Sequence, residues 1–365
     1  MRREQVFWLA FSTVRGIGAV RFRKLLDFFG DLALAWSATK EDLVSAGLTK
    51  NVADSVLEAR KTLDLDSLIE NLQRKDISFL TWNSPDYPPL LKEIAQPPPV
   101  LYYRGSILPM DELAIAIVGT RNVTKYGKQI TVDTATYLAG SGVTVVSGLA
   151  RGVDGIAHRA ALEAGGRTIA VLGSGVDVIY PPEHRKLALD IIENGAIVSD
   201  YPPGTKPEGI NFPPRNRIIS GLSRGTVVVE AGERSGALIT AKFALDQGRD
   251  IYAVPGSVLS QMSKGTNQLI ADGAQPMTNP AQITDALNLQ RQVKREVKES
   301  LSLTRDEEMI LRLLGNESLH IDEICNRTSM GIEKLTADLT MMELKGIIER
   351  DNGMEYRRVQ RWDFK

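Results

Sequence analysis

Residues 114–118 read Ala-Ile-Ala-Ile-Val, and the tripeptide Gly119-Thr120-Arg121 follows them directly. Similar short apolar runs, rich in β-branched residues and free of polar alternation, recur along the chain with helical stretches between them. These runs lie at 143–146, 168–172, 196–198, 226–229 and 251–254. Uninterrupted apolar runs of this length are typical of parallel strands buried on both faces. The pattern therefore predicts an α/β domain over residues 111–288, built on an extended Rossmann-like, doubly wound and mostly parallel sheet.

A glycine-containing turn follows each of these predicted strands, the first at 119–121 and the second at 147–152. In a parallel sheet all such turns lie at the carboxyl edge of the strands, where this architecture binds its ligands. Glycines let a ligand approach the backbone, and helix N-termini offer unpaired N–H groups to anions. Six such turns at one edge favour an anionic ligand over ordinary connections between strands and helices.

Cationic and aromatic side chains accompany these turns. The segment 121–128 carries basic residues and no acid, and the segment 206–217 places Phe212 among further basic residues. The basic residues are Arg121, Lys125, Lys128, Lys206, Arg215 and Arg217. A charged groove with aromatic platforms holds single-stranded nucleic acid without reading its sequence. The pattern therefore favours a nucleic-acid backbone as the anion.

Several other kinds of site are disfavoured by motifs that the sequence lacks. No segment has the Walker A spacing, no strict Gly-x-Gly-x-x-Gly follows the first strand, and no Gly-x-Ser-x-Gly turn occurs. With a single cysteine, Cys325, and three widely separated histidines, we predict no metal, no cofactor and no disulfide.

Five polar residues near these turns have a structural interpretation beside a functional one. We interpret Asp154 and Glu230 as capping or ion-pairing carboxylates and His158 as a structural residue rather than a catalytic base. Arg217 either faces the ligand or pairs with Glu230 as a buried arginine. Ser235 either binds phosphate or only caps the helix that begins at Gly236.

The first 75 residues are helical by periodicity and contain the turn Gly16-Ile17-Gly18 between two helical stretches. This is the helix-hairpin-helix pattern, in a region that we expect to be SAM-like, and a weaker copy lies at 46–50. The glycines either present backbone amides to a phosphate or serve only as a tight packing turn. Residues 76–110 are rich in proline and predict an extended connector that packs on the core.

The C-terminal region, 304–365, predicts three helices and a hairpin around Asn352-Gly353, which is the plan of a winged helix. A charged stretch without an apolar stripe, 289–303, predicts a linker before it. The third helix, 331–345, has a net charge of -1, so we favour an accessory or protein-contact role over duplex reading. The basic residues best placed on the wing are Arg357, Arg358 and Arg361.

Composition sets limits on the whole chain. It has 365 residues and a formal net charge of -1, which excludes a protein that is basic all over. Positive charge is therefore expected at one edge of one domain. No apolar run is long enough for a spanning helix and no signal peptide is recognisable, so we expect a cytoplasmic protein without membrane contact.

Several segments, taken together and in order, resemble the bacterial DNA-processing protein A family (DprA, also called Smf). These segments are 119–121, 147–158, 212–223, 235–241, 255–257 and 264–267. They cover the whole predicted central domain, and both flanking regions fit the family's fuller architecture. Thr120 stands where serine is commoner in the family, which keeps the hydroxyl group.

The resemblance implies a non-sequence-specific, single-stranded DNA-binding protein of natural transformation, with no catalytic activity, that protects incoming strands and helps to load the RecA recombinase. It also implies a homodimer formed through the Rossmann-like domain. The residues that we predict to bind DNA, most of them carried over by position, are Gly119, Thr120, Arg121, Ser147, Gly148, Arg151, Gly152, Lys206, Phe212, Arg215, Asn216, Arg217, Ser235 and Gly236.

Two rival functions follow from parts of the sequence. A Rossmann-like nucleotide phosphoribohydrolase would use Glu230 or Asp154, but such enzymes typically carry Pro-Gly-Gly-x-Gly-Thr-x-x-Glu. Here the corresponding turn, 230–236, reads Glu-Ala-Gly-Glu-Arg-Ser-Gly, which favours binding over catalysis. A duplex-binding transcription regulator would rest on the winged helix alone.

Overall fold

The computed structural model of the chain describes residues 5–288, 304–314, 318–344, 347–350 and 353–358. The boundary between two compact units falls between Thr284 and Asp285. The predicted linker, 289–303, lies outside the described residues, and so does Arg361 of the predicted wing. No helix in the described ranges is long and apolar enough to cross a membrane.

The first unit is built on a sheet whose described strands follow the order β1-β2-β6-β5-β4-β3-β7-β8-β9. The strands are β1 (Ser78–Thr81), β2 (Val100–Gly105), β3 (Ala114–Val118), β4 (Thr144–Ser147), β5 (Thr168–Val171), β6 (Gly195–Ser199), β7 (Gly225–Val228), β8 (Asp250–Ala253) and β9 (Gln275–Pro276). Strands β3 to β9 pair in parallel, and β2 runs antiparallel to both β1 and β6. The predicted mostly parallel α/β sheet is therefore confirmed.

The proline-rich stretch 76–110 contributes two strands to the edge of this sheet. In the register, Leu80 lies opposite Leu101, and Tyr103 lies opposite Val198 of β6. The prolines of this stretch lie outside both strands, so they remove no donor from the ladder. Strand signals in 76–110 are weak in sequence because each strand is short and the prolines dominate the composition.

Helices flank the parallel strands. They are α7 (Pro89–Lys92), α8 (Lys125–Gly140), α9 (Val153–Glu163), α10 (Arg185–Asn194), α11 (Phe212–Gly221), α12 (Gly236–Asp246) and α13 (Lys264–Ala271). Neighbouring residues of one strand enter different apolar clusters: Ala170 packs in one, and Ile169 and Val171 pack in the other. Burial of both faces explains the continuous apolar runs of the strands.

The N-terminal region is helical, as predicted. Its helices are α1 (Gln5–Thr13), α2 (Ala19–Phe29), α3 (Leu32–Ser37), α4 (Lys40–Ser45), α5 (Lys50–Thr62) and α6 (Leu65–Arg74). Trp8 and Phe22 share an apolar cluster with Leu172 and Val176, which lie at and beyond the end of β5. Lys75 forms an ion pair of 2.7 Å with Asp177 in the same turn. The N-terminal helices therefore pack beside the carboxyl edge of the sheet.

The second unit contains the helices Arg305–Leu314, Ile321–Thr328 and Ile332–Leu344 and the strands β10 (Leu319–His320), β11 (Ile348–Arg350) and β12 (Glu355–Arg358). The strands pair in the order β10-β12-β11. Ile310, Ile324 and Leu335, one from each helix, share its core. The predicted winged helix is confirmed.

Candidate functional site

A cleft of about 740 Å³ opens at the carboxyl edge of the sheet, between the ends of β3 and β7. The chain winds outward from β3 in one direction through β4, β5 and β6, and returns to the other side of β3 with β7. The strand order therefore reverses at this point, where doubly wound sheets bind their ligands. The cleft is lined by Val118, Gly119, Thr120, Arg121, Ala150, Asp154, Tyr180, Pro207, Gly209, Phe212, Pro213, Arg215, Asn216, Ile219, Gly232, Arg234, Ser235, Gly236, Ala237, Ile239, Thr240 and Met262.

The turn after β3, residues 119–121, forms one wall of the cleft. The Thr120 amide donates to the Glu230 carbonyl at 2.7 Å, which ties this turn to the end of β7. A Cβ atom at Gly119 would lie 2.6 Å from Cγ2 of Val153, so this close packing requires glycine. Arg121 is exposed, and within the described ranges its guanidinium forms no hydrogen bond or ion pair. This turn therefore presents an unneutralised cation to the cleft.

Phe212, the first residue of α11, forms an aromatic platform in the cleft. The Arg121 guanidinium lies 6.0 Å from the centroid of its ring, and the Tyr180 ring lies 5.7 Å away. The ring passes so close to Gly173 that a Cβ atom there would lie 2.8 Å from Cδ1 of Phe212. The ring is half-buried, so a planar group can stack on its remaining open surface.

Arg215 lies beneath this platform and is 4% exposed. It donates from Nη1 to the carbonyl of Gly148 at 2.9 Å and to that of Val171, and from Nε to Oδ1 of Asn216 at 3.2 Å. Burial lowers the pKa of Arg215 to about 10, and the nearby Asp154 carboxylate acts in the opposite direction. Arg215 lines the cleft, but its hydrogen bonds link the ends of β4 and β5.

Arg217 is engaged with protein atoms on the far side of α11. It donates to the Gln96 carbonyl at 3.0 Å, to the Pro214 carbonyl at 3.1 Å and to Oδ2 of Asp200 at 2.8 Å. Arg217 is therefore a structural arginine, but its carboxylate partner is Asp200 and not Glu230, as the sequence had suggested. Glu230 instead accepts from the amide and the hydroxyl of Thr124, at 2.9 and 2.6 Å.

The turn after β4, residues 147–152, is occupied by protein contacts. Oδ2 of Asp154 accepts hydrogen bonds from the amides of Gly148, at 3.1 Å, and Ala150, at 3.3 Å. The Ser147 hydroxyl donates to the Ile117 carbonyl at 2.6 Å. Asp154 is 6% exposed, and burial raises the pKa of its carboxyl group. Asp154 is therefore a structural carboxylate, but it holds the turn before α9 instead of capping that helix. It occupies amides that we predicted to bind DNA.

Gly152 and Arg151 complete the same turn. Gly152 has a φ of +72°, and a Cβ atom there would collide with the Thr120 carbonyl oxygen and lie 2.7 Å from that of Arg121. The Val153 amide donates to the Thr120 carbonyl at 3.2 Å. Arg151 is exposed and forms an ion pair with Glu183. The turn after β4 therefore packs against the turn after β3 and holds its Thr120 carbonyl in place.

The turn after β7 leads into α12 and forms the opposite wall. The Ser235 hydroxyl accepts from the Ala237 amide at 3.3 Å, so Ser235 caps the helix. Gly236 is exposed, with no atom within 4 Å of the position that a Cβ would take. The Asn216 side chain donates to the Gly236 carbonyl at 3.3 Å, and this bond joins α11 to the same helix start.

Some of the residues predicted from the sequence line the cleft, and others lie outside its lining. Lys206 is exposed on the turn after β6, and its neighbour Pro207, but not Lys206 itself, lines the cleft. Lys125 and Lys128 are exposed at the start of α8, outside the lining. Eight of the predicted residues line the cleft directly: Gly119, Thr120, Arg121, Phe212, Arg215, Asn216, Ser235 and Gly236.

Among the lining residues that sequence reasoning missed are Arg234, Tyr180 and Met262. Arg234 is exposed on the turn after β7 and adds a second exposed cation opposite Arg121. The usable signal for Arg234 was its place in a turn at the reversal of strand order. No sequence signal marked Tyr180 or Met262, which reach the cleft from more distant loops.

His158 is fully buried on α9, away from the cleft lining. The Thr168 hydroxyl donates to the Val145 carbonyl at 2.7 Å, so it accepts from the Nδ1–H group of His158, also at 2.7 Å. Nε2 of His158 has no hydrogen-bond partner among the described atoms. Burial lowers the pKa of His158 to about 3, so its ring is neutral near pH 7. These contacts agree with a structural role.

The matched family profiles and curated relatives cover most of the chain. The profile of the family described as DNA recombination-mediator protein A matches residues 78–288, and that of the DprA winged helix domain matches residues 295–354. Protein Smf of Synechocystis sp. is 38% identical over 395 aligned positions, which cover 97% of this chain and 99% of its relative. The DNA processing protein DprA of Bacillus subtilis is 42% identical and covers 61% of this chain, with 75% of the relative matched.

Two solved structures extend this similarity to the fold. The X-ray structure of DNA processing protein A from Streptococcus pneumoniae matches with a TM-score of 0.68 and 33% identity, over 78% of this chain and 98% of that protein. DNA processing protein A from Helicobacter pylori, solved to describe its single-stranded DNA binding mode, matches with a TM-score of 0.53 and 33% identity, over 59% and 96% of the two chains. The resemblance seen in the motifs is therefore confirmed: the chain belongs to the DNA recombination-mediator protein A family, which includes the DprA and Smf proteins.

Proposed function

We propose that the chain binds single-stranded DNA, without reading its sequence, in the cleft between β3 and β7. The observation that carries this proposal is the pairing of Arg121 with Phe212, an exposed cation 6.0 Å from a half-buried aromatic ring. A phosphate beside Arg121 and a base stacked on Phe212 together match how single strands are held, since every base has a face that can stack.

The surroundings of this pair support the same ligand. Arg234 adds a second exposed cation, and Gly236 leaves room for the ligand at the start of α12, where helix amides favour negative charge. The Helicobacter pylori relative is described as binding single-stranded DNA, which supports this choice of ligand. We assign Arg215, Arg217, Ser147 and Gly148 to the support of the site, because their polar groups are engaged with protein atoms.

We further propose that the cleft performs no catalysis. Glu230, one carboxylate that a phosphoribohydrolase would need, is 2% exposed and holds Thr124 with both oxygens. Asp154, the other, is 6% exposed and holds two backbone amides. Glu230 lies outside the cleft lining, and Asp154, which belongs to it, has Oδ2 engaged by the turn after β4. This arrangement favours binding over catalysis. Release of a free base from nucleoside monophosphates by the purified protein would contradict this.

The family membership supports a wider role that remains a proposal for this chain. We propose that it acts in the cytoplasm in natural transformation, where it protects incoming single strands and helps to load RecA, as a homodimer through its α/β domain. The loop after β8 supports association, because Val258 and Leu259 are 81% and 90% exposed there. Sedimentation of the full chain measures its association, and RecA filament assembly on strands coated with the protein measures loading.

The binding proposal is tested with Arg121→Ala in a titration of labelled oligonucleotides across a range of salt concentrations. The variant is expected to weaken single-strand affinity about tenfold for several sequences alike, and to reduce the slope of log affinity against log salt by about 0.7. The wild-type protein is expected to bind single strands more tightly than duplexes of the same length.

The matched control is Arg159→Ala, which removes an exposed arginine from another surface of the same unit. Its affinity is expected to stay within twofold of the wild-type value. Equal losses in the two variants, salt-independent binding or equal affinity for duplex DNA would contradict the proposal.

A further inference from the structure

A second basic surface lies on the N-terminal helices, at the glycine turns that the sequence pattern singled out. An open pocket of about 510 Å³ is lined there by Gly16, Gly18, Ala19, Val20, Arg21, Lys24, Gly47, Thr49 and Gln96. None of these residues is acidic. The pocket is therefore an acid-free basic surface in a region that is otherwise rich in carboxylates, and we call it the N-terminal pocket.

The two glycine turns have the same geometry and meet at this pocket. Gly16 and Gly47 have φ values of +92° and +93°, which only glycine adopts without strain. The Lys24 side chain crosses Gly47, with Nζ 3.2 Å from the position that a Cβ of residue 47 would take. Glycine at both turns therefore lets two helix starts, those of α2 and α5, approach the same space, with Lys24 between them.

The cations of the N-terminal pocket are unneutralised. Arg21 donates to the Gly16 carbonyl and Lys24 crosses Gly47, but within the described ranges neither forms an ion pair. Lys40 and Lys61, outside the pocket in the same region, pair with Asp54 and Glu58. The pocket therefore carries positive charge that no ion pair offsets within the described ranges.

Backbone amides reinforce this charge. The side chains of the N-cap residues of α3, α4 and α6 accept hydrogen bonds from backbone amides of their helices. The N-cap residues of α2 and α5, Gly18 and Thr49, make no such bond. In the described structure the amides of Ala19 and Val20 therefore have no side-chain cap. Uncapped amides beside two cations suit a phosphate better than a neutral ligand.

A short series of contacts links the N-terminal pocket to the cleft. Gln96 lines the pocket, and its carbonyl accepts from Nε of Arg217 at 3.0 Å. Arg217 lies on α11, whose first residue, Phe212, lines the cleft. At a rise of 1.5 Å per residue, Phe212 and Arg217 are separated by about 7.5 Å along the helix. A strand that leaves the cleft along α11 thus reaches Gln96 within a few nucleotides.

We propose that the N-terminal pocket binds the phosphodiester backbone of the same single strand whose bases stack in the cleft. This inference rests on the proposed function, because it extends the path of that ligand. It assigns the helix-hairpin-helix pattern a binding role beside its packing role. Strands long enough to occupy both surfaces gain contacts that short strands lack.

The test uses a double variant that carries both Arg21→Gln and Lys24→Gln. Its affinity is compared with that of the wild type for oligothymidylates of about 6 and about 25 nucleotides, lengths chosen to fill one or both surfaces. The variant is expected to bind the longer strand about tenfold more weakly. Loss of two phosphate contacts is expected to reduce its salt slope by about 1.4. Affinity for the shorter strand is expected to remain within twofold.

The control combines Lys40→Gln and Lys61→Gln, which removes the same formal charge from ion-paired lysines of the same region. It is expected to behave as wild type on both lengths. Lys24→Gln alone, which leaves the Arg21 contact with Gly16 intact, is expected to show about half of the change in salt slope.

Three results would overturn the inference. Equal weakening at both lengths, no weakening at either length, or a larger loss on duplex than on the long single strand each rules out a shared single-strand path. Failure of the proposed function is recognised separately, because Arg121→Ala would then leave affinity for the short strand unchanged.

Discussion

The turn after β3 and the turn after β4 look alike in sequence, since both are glycine-containing turns that end in or include an arginine. In the structure the first turn exposes its arginine to the cleft, whereas the second is engaged in contacts with protein atoms. Arg121 of the first turn is exposed beside Phe212, without an ion pair in the described part of the chain. The second turn donates two amides to Asp154, and its Arg151 pairs with Glu183.

This difference between the two turns comes from a carboxylate that follows the second turn in sequence. Asp154, in the first turn of α9, occupies the position where an anionic ligand would accept the same amides. An internal carboxylate thus converts an anion-binding turn into a rigid support. Glycine content alone therefore does not identify a binding turn, and the nearest buried carboxylate must be considered with it.

The largest expected effect comes from Gly152→Ala, which breaks the contact between the two turns. The added Cβ would meet the carbonyl oxygens of Thr120 and Arg121, and its φ of +72° is unfavourable for alanine. We expect a loss of about 3 kcal/mol or more in the free energy of unfolding, measured by denaturant titration. Single-strand affinity is expected to fall too, because Arg121 is displaced.

The control for that variant is Gly165→Ala, which has the same φ of +72° but open space around the added Cβ. It is expected to cost about 1 kcal/mol, the effect of the left-handed conformation alone. Equal losses at both glycines would mean that the close contact between the turns contributes nothing.

A smaller effect is expected from Asp154→Ala, which leaves the amides of Gly148 and Ala150 without their acceptor. One buried and one half-buried donor without partners should lower the free energy of unfolding by about 2–3 kcal/mol. Asp154→Asn, whose Oδ1 can accept the same bonds, is expected to recover most of this loss. If Asp154→Ala instead tightened DNA binding without loss of stability, the second turn would itself be an anion site.

The smallest expected effect is a pH dependence carried by His158, on the helix that follows the second turn. Burial lowers the pKa of His158 to about 3 in the folded chain, whereas an unfolded histidine titrates near 6.5. Below that pH the unfolded state binds the extra proton, so stability is present above about pH 6.5 and is lost as pH falls.

Between pH 7.5 and 5.5 the expected loss from His158 is about 1.4 kcal/mol in the free energy of unfolding. The measurement is the difference between wild type and His158→Asn in denaturant titrations at both pH values, so that the other titrating groups cancel. Identical pH dependence in the two proteins would show that His158 is accessible to protons in the folded state.

The sequence predicted the parallel strands and the position of Arg121 and Phe212 well, because these depend on local patterns. Buried strands need continuous apolar residues, and the carboxyl-edge turns follow from the order of the elements alone. The same reasoning placed Ser235 at a helix start, where its hydroxyl accepts the expected backbone hydrogen bond.

The remaining features depend on contacts between distant segments. Arg217 pairs with Asp200 rather than Glu230 because α11 packs beside the end of β6, and no local pattern reports that packing. Strands β1 and β2 escaped notice because the prolines between them dominate the composition. Arg234 lines the cleft because β7 lies next to β3 in the sheet, and this neighbourhood follows from the strand order and not from a local pattern.

The outermost parallel strand, β9, limits how two copies of the chain can associate. It consists of Gln275 and Pro276, and the Met277 amide beyond it donates inward to the Ala253 carbonyl at 2.9 Å. Since strand amides alternate in direction, the outward position falls on Pro276, which has no N–H group. That side of the sheet lacks the donor needed to add a further strand. Self-association at this end must therefore use side-chain packing rather than a sheet continued across two molecules.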